Sequence, residues 1–314
     1  MEGDAEVFRN GQFGVVKMGL AKKLEGNPQH PVNRGKLCVR GEAGLQVTFN
    51  PDRIKHPLKR VGQRGSAQFA QVSWDEAMQE LLAHLSPLAS PHAVQSLAFV
   101  TRPLRGQRGV LIERFLSGFD AAQLVPFELF DDRVLRTANR LSFGYDQLPT
   151  FDLAHSSYVI SFGADFLGTW NSPVAQSVAY GTMRQNRSGA RGKFVQVESR
   201  MSQTGANADE WVPAHPGTEG QLALGLAHVI LNEHRGQAEA AGTAGMRIDG
   251  WRDGLPEYSP EAVAWKTGVP PETIARLARE MALQTPAVAV VGGAPLAQTN
   301  GLFTALAVNA LNAL

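Results

Sequence analysis

Apolar positions along this chain switch repeatedly between helical and strand spacing. In QVSWDEAMQELLAHL, Met78, Leu81, Leu82 and Leu85 recur three and four apart behind Ser73, with Glu76 three residues after the serine. That is a capping box followed by one apolar stripe, and it predicts a helix starting at Trp74. SLAFVT then predicts a buried strand, RGVLIERFLSGF a helix, QLVPF a short strand, and DDRVLRTANRLSF a helix opened by acids. The second half is cleaner. SSYVISFGAD, GKFVQVESR and PAVAVVGGA read as strands; SPVAQSVAYGTMRQN, TEGQLALGLAHVILNEH, EAVAWKTG, PETIARLAREMAL and the closing QTNGLFTALAVNALNAL read as helices. Alternation of this kind predicts an α/β fold with a mainly parallel sheet.

Residues 1–55 differ. They are rich in Gly, Asn, Pro and basic residues, with the short β-type runs FGVVKM and KLCV separated by the turn-rich EGNPQHPVNRG. The expected organisation is a small loop-rich β module over 1–55, then two layered, Rossmann-like α/β domains over 56–150 and 151–314. Both termini read as cuts: Leu302, Leu306, Leu311 and Leu314 keep helical spacing to the end, with no Gly, Asn or Pro stop after them.

Composition narrows the chemistry. Of 314 residues, 43% are hydrophobic and 19% charged, and 30 Lys+Arg stand against 29 Asp+Glu. This balance gives no electrostatic reason to expect nucleic acid as a partner, and no apolar run is long enough to span a membrane. A single cysteine, Cys38, excludes a disulfide framework and a multi-thiolate site built from this chain alone. HxxxH, HExxH, GxSxG, GxGxxG and GxxxxGK[ST] are all absent, which argues against a zinc hydrolase, a serine hydrolase, a standard dinucleotide fold and a P-loop. The five tryptophans, Trp74, Trp170, Trp211, Trp251 and Trp265, are expected to be packing residues.

Open α/β sheets place ligands beyond the carboxyl ends of their strands. Here those loops are Gly163 to Trp170, Glu198 to Asp209 and Gly292 to Asn300. Gly163, Gly292 and Gly293 allow close backbone approach to a phosphate. In VESRMSQTGANADEWVPAHPGTEG a strand ends at Glu198, hydroxyls and a cation follow at Ser199, Arg200, Ser202 and Thr204, and Pro216-Gly217-Thr218-Glu219 opens a helix. A strand-end acid suits ribose hydroxyls or a guanine amino edge, and helix N-termini suit phosphate oxygens, although Thr218 and Glu219 also serve as ordinary helix-capping residues.

In order and spacing these segments resemble the large subunits of the molybdopterin oxidoreductases, the dimethyl-sulfoxide-reductase superfamily. KKLEGNPQHPVNRGKLCVRG is similar to the end of that family's cluster-binding module, NPDRIKHPLKRVGQRG and QVSWDEAM to the linker into its first α/β domain, and VESRMSQTGANADEWVPAHPGTEGQLAL to its nucleotide segment. There Glu198-Ser199 and Glu219 replace the usual Asp-Pro and Asp. The resemblance implies an electron-transferring large subunit that holds a bis-molybdopterin guanine dinucleotide with molybdenum or tungsten. It also implies an iron-sulfur partner subunit and a membrane-anchor subunit, and peripheral attachment to a bacterial inner membrane. By that likeness Cys38 is the fourth ligand of a 4Fe-4S cluster and Arg40 the basic residue between cluster and pterin. Glu198, Ser199, Thr204, Asp209, Gly217, Thr218 and Glu219 line one guanine dinucleotide, while Gly163, Asp165 and Gly292 pass beside its phosphates.

Two departures stand out. The three upstream cluster cysteines expected within residues 1–20 are missing, and one thiolate cannot hold four irons. The region normally bearing the metal's protein ligand, VPFELFDDRVLRTANRLSFGYDQLPTFD, has no cysteine; Asp131, Asp132 and Ser142 are oxygen donors there, and none is assigned. A metal-free, non-catalytic scaffold such as the iron-sulfur subunit of alternative complex III is the competing expectation, since ANRLSFGYDQLPTFDLAHSSYVISFGADFLGTWNSPVAQS is similar to that branch.

Overall fold

A computed structural model describes residues 3–9, 12–18, 21–89, 97–104, 106–127, 132–185 and 191–314, the first two stretches as backbone only. Along the chain, β1 (Gly3–Arg9) and β2 (Gln12–Met18) form an antiparallel hairpin, and Cys38 precedes the short helix α1 (Val39–Glu42). KLCV is therefore not a strand: the Glu42 N–H donates to the Cys38 carbonyl at 3.1 Å and turns the chain helically at that point. After α2 (Gly44–Thr48), β3 (Leu58–Arg60) and β4 (Phe69–Gln71) make a second small hairpin. The helix expected at Trp74 is α3 (Trp74–Leu85), with the Ser73 hydroxyl accepting from the Glu76 N–H at 3.1 Å. Strand β5 (Leu97–Thr101), helix α4 (Gln107–Leu116) and strand β6 (Ala122–Pro126) follow, the strands pairing in parallel.

From there the fold is α/β throughout. Its elements are α5 (Arg133–Phe143), β7 (Tyr158–Phe162), α6 (Pro173–Met183), β8 (Lys193–Val197), α7 (Gln203–Ala206), β9 (Glu210–Val212) and α8 (Glu219–Asn232). They continue with α9 (Gly242–Met246), α10 (Pro260–Thr267), α11 (Pro271–Leu283), β10 (Ala287–Val291) and α12 (Gly301–Ala313). The chain divides into two compact units, one of residues 1–24 and 43–129, the other of 25–42 and 130–314.

The second unit holds a four-stranded parallel sheet in the order β10-β7-β8-β9. Both faces of a parallel sheet must be covered, and period-two burial shows how. Ile160, Phe162, Val195, Val197 and Val291 pack against α8, α11 and α12, while Val159, Phe194 and Val290 pack with Met183 of α6 on the other face. Helix α5 joins the larger core through Leu135 and Ala138, and its buried Asn139 and Ser142 each accept a hydrogen bond from Asn309 of α12 at 3.2 Å. At the amino-terminal edge of the sheet, Lys193 contacts Glu280 at 2.6 Å and Glu210 at 3.4 Å, and Arg276 contacts the same two acids at 2.9 and 2.5 Å. Tyr158 donates to Glu280 at 3.3 Å, and burial pushes its phenol upward, so it stays protonated.

Trp251 is buried and donates to the Ala238 carbonyl, and Trp170 and Trp211 are half-buried, but Trp74 and Trp265 are exposed rather than packed. No helix among the described residues is long and apolar enough to cross a membrane.

A candidate nucleotide site at the carboxyl edge of the sheet

Strand order places the ligand edge. The chain runs from β7 to β8 and β9 on one side and returns to β10 on the other, so the crevice beyond the carboxyl ends of β7 and β10 is a topological switch point. Helices α6, α8 and α12 all begin on this edge, and each brings unpaired N–H groups and the positive end of its dipole.

The glycines there are required by packing. Gly163 has φ +70°, and a Cβ on it would overlap the Pro295 ring; one on Gly293, at φ +67°, would lie 2.7 Å from the Gly163 carbonyl; one on Gly292 would strike the Trp170 indole. The β7 and β10 loops are thus pressed together by backbone contact. Gly217 is different: its φ of +79° demands glycine, yet the nearest atoms to an added Cβ are 3.8 Å away, so its surroundings are open.

Asp165 and Glu198 hold loops. The Thr204 hydroxyl donates to Asp165 Oδ1 at 2.6 Å and accepts the Leu167 N–H at 3.1 Å, while Asp165 Oδ2 accepts from the N–H and hydroxyl of Thr169. Thr204 is fully buried, so this latch joins the β7 and β8 loops from the inside. Glu198 is also buried, accepting from the Ser202 N–H at 2.6 Å and from Gln196 Nε2 at 3.1 Å; Ser199 beside it is exposed.

Asp209 does not join the cluster. It accepts the Phe194 N–H at 2.8 Å and clasps Arg184 with both oxygens, at the start of β8 and β9 rather than their ends. Three steps along the strand separate Phe194 from Val197, about 10 Å at the usual rise. Its backbone contact with β8 fixes the start of the neighbouring strand.

At the start of α8, Thr218 donates to the His215 carbonyl at 2.7 Å, which makes it a turn residue. Glu219 is the exception among these acids. Its side chain is buried, one oxygen has no partner, and burial raises its carboxyl above the usual range against the pull of the N–H groups of Glu219 and Gly217. Close by, Asn300 donates to the Gly217 carbonyl at 2.7 Å, tying the α12 start to the α8 start. The Thr304 hydroxyl, packed against Gly220, is likewise buried and unpartnered. Asn300 closes a loop that the sequence places on the ligand edge, whereas the sequence gives no role to Thr304. Its polarity within a mostly apolar closing helix is the signal that marks it, a signal it shares with Asn309 and Asn312.

A guanine dinucleotide fits this edge: an unpartnered buried carboxylate oxygen suits the N–H groups of a purine edge, and the helix N-termini suit phosphate oxygens. A four-iron cluster does not fit the residues described. Cys38 is the single cysteine, half-exposed, with its thiol lowered chiefly by the Gly41 N–H and further by Arg40. No group of three or more His, Cys, Asp or Glu that could hold a metal occurs among the described residues. Ser142, an oxygen donor considered for molybdenum, is taken up by Asn309; Asp132 sits at the start of α5, and Asp131 lies outside the described residues.

Residues 53–311 match the family model for molybdopterin oxidoreductase, and residues 14–50 match that for the molybdopterin oxidoreductase Fe4S4 domain. The chain is 29% identical over 298 residues to the menaquinone reductase, molybdopterin-binding-like subunit of Nitratidesulfovibrio vulgaris, covering 94% of this chain and 41% of that protein. It is 26% identical to the arsenate respiratory reductase molybdopterin-containing subunit of a Shewanella species, covering 95% and 38%, and 27% identical to the dimethyl sulfoxide reductase DmsA of Escherichia coli, covering 88% and 37%. The fold aligns with acetylene hydratase from Pelobacter acetylenicus at a TM-score of 0.63 and 19% identity, over 99% of this chain and 41% of that one. The chain thus spans about two fifths of the length of these relatives. Nothing in these similarities favours an alternative complex III scaffold. The match over most of its length, on an α/β fold of the same kind, shows that the chain belongs to the molybdopterin oxidoreductase family.

Proposed function

We propose that the chain is the part of a molybdopterin-dependent oxidoreductase large subunit that holds one guanine dinucleotide of a bis-molybdopterin cofactor. The observation that carries this reading is the buried, unpartnered Glu219 oxygen at the start of α8, on the same edge as the starts of α6 and α12. In this role Glu219 accepts hydrogen bonds from the guanine, the N–H groups at the start of α8 bind phosphate, and the Asp165–Thr204 latch holds the surrounding loops in shape. When bound, the cofactor supplies the redox chemistry, and the protein supplies position and electrostatics. No step is assigned to Cys38 or Arg40. An iron-sulfur subunit and a membrane-anchor subunit are the proposed partners, in keeping with relatives named as subunits of a menaquinone reductase and of an arsenate respiratory reductase.

The test is cofactor content. Chain purified from cells that make the bis-guanine-dinucleotide cofactor is hydrolysed in acid, and released GMP and bound molybdenum or tungsten are quantified. GMP is expected in the wild type and at least tenfold less in Glu219→Ala. Wild-type protein free of GMP and metal after such maturation would overturn the reading.

A further inference from the structure

We propose that the exposed face of α10, with the groove where its start meets α8 and α11, is a docking surface for a basic polypeptide segment that lays an arginine across Trp265 and brings positive charge to Glu261 and Glu272. This goes beyond the cofactor reading above and does not depend on it.

The observation is an indole left in solvent beside unpaired acids. Helix α10 buries Val263 and Thr267, one turn apart, and its other side carries Glu261 and Trp265, also one turn apart. Trp265 is 86% exposed, more than any other large hydrophobic residue among those described. Its neighbour Lys266 is taken up by the Tyr258 ring, 5.9 Å away. Next to Glu261, a groove of about 340 Å³ lies between the second half of α8, the start of α10 and α11. Three acids line it. Glu233 is already neutralised, by Arg279 at 2.7 Å and Arg235 at 2.8 Å, whereas Glu261 and Glu272 have no ion pair among the described residues. The charge of the whole segment agrees: over residues 249–272 five Asp and Glu stand against two bases, Arg252 and Lys266, in a chain whose overall charge is close to balanced.

Charge and shape together select the occupant. Anionic lipid headgroups and nucleic acid are repelled by such a surface. A second copy docked about a two-fold axis sets the same acids opposite one another. An apolar partner covers the indole but takes two carboxylates out of water with no counter-charge. A divalent cation held by protein needs several oxygen ligands, and no group of three or more His, Cys, Asp or Glu that could hold a metal occurs among the described residues. An arginine meets both demands at once. Its planar guanidinium stacks on an indole face and keeps the N–H groups at its edge free to donate to a carboxylate. Tryptophan and arginine are also the side chains that most often dominate the energy of protein interfaces.

The test follows the indole itself. The full chain is labelled with 5-fluorotryptophan, the Trp265 fluorine resonance is assigned by its loss in Trp265→Phe, and hexa-arginine amide is titrated in. The Trp265 resonance is expected to shift saturably while that of Trp74, exposed in the first unit, stays in place. In the pair Glu261→Lys and Glu272→Lys the half-saturating concentration should rise roughly tenfold, with the resonance of buried Trp251 unmoved as the sign that the second unit is folded. Should Trp251 move in that pair, the shape-conserving Glu261→Gln and Glu272→Gln pair carries the same expectation. An unmoved Trp265, an equal shift at Trp74, or no effect of removing the acids would overturn the proposal. So would an equal response to hexaglutamate, to spermine at the same concentration, or to anionic vesicles. In the native host, benzoylphenylalanine at position 265 is expected to form an adduct with a segment of another polypeptide that carries net positive charge, and roughly tenfold less of it when both acids are reversed. An adduct to a neutral or acidic segment, to a second copy or to lipid, or no adduct, would overturn it as well. No cofactor enters these readouts.

Discussion

Two buried residues at the carboxyl edge behave oppositely. Thr204 is satisfied in both directions, by Asp165 and by Leu167. Thr204→Val keeps its shape but strands a carboxylate oxygen and an N–H, and should lower stability by about 2 kcal/mol in urea unfolding, whereas Thr204→Ser should restore most of it. Glu219 is unsatisfied. Its carboxyl is raised by burial, so its stabilising form is the protonated one, fully present below the unfolded carboxyl's pKa and lost as pH rises through the higher folded value. Glu219→Gln should therefore raise the Tm of cofactor-free protein at pH 8, with the gain shrinking as pH falls toward 4.5, while GMP retention drops. The sequence marks the residue types here but not their employment: Glu198, Asp165 and Thr218 look as suitable for a ligand as Glu219 does, and hydrogen-bond partners supplied by other loops separate them.

At the scale of elements, most of the α/β alternation was legible because long apolar periods and capping signals such as Ser73 are local. What was not legible depends on pairing between distant stretches. Asp209 follows β8 in the chain and so reads as a carboxyl-edge residue, yet the crossover through α7 and the parallel register of β8 with β9 carry it back to the strands' beginnings. KLCV has strand composition but no strand beside it, and the chain turns into α1 instead. The pressed β7 and β10 loops make a firm prediction: Gly163→Ala combines a positive φ with overlap on Pro295, and should cost about 2–4 kcal/mol and lower the yield of folded protein. Gly217→Ala, with open space around it, should cost only the backbone strain of about 1–2 kcal/mol.

For the whole molecule, the two units differ in how much they bury. In hydrogen exchange, amides of β5 and β6 should exchange faster than those of β7 and β8 by orders of magnitude in the isolated chain, since local protection follows buried apolar contacts. Equal protection would contradict that difference in burial. The α/β class could be read from the alternating apolar periods and the family from a resemblance of segments in order and spacing, whereas the uncovered state of the first unit could not, because helical periodicity in α3 shows that a face is apolar but not whether anything meets it.

The charge square of Lys193, Glu210, Arg276 and Glu280 bears on how the gene can drift. Each cation touches both anions, so losing any one charge leaves an unbalanced ion at the edge of the core, which costs more than the pair itself contributes. Related sequences should therefore vary at these four positions in correlated pairs, cation with anion, whereas the exposed Ser199 and Arg200 beside the nucleotide edge are under no such coupling.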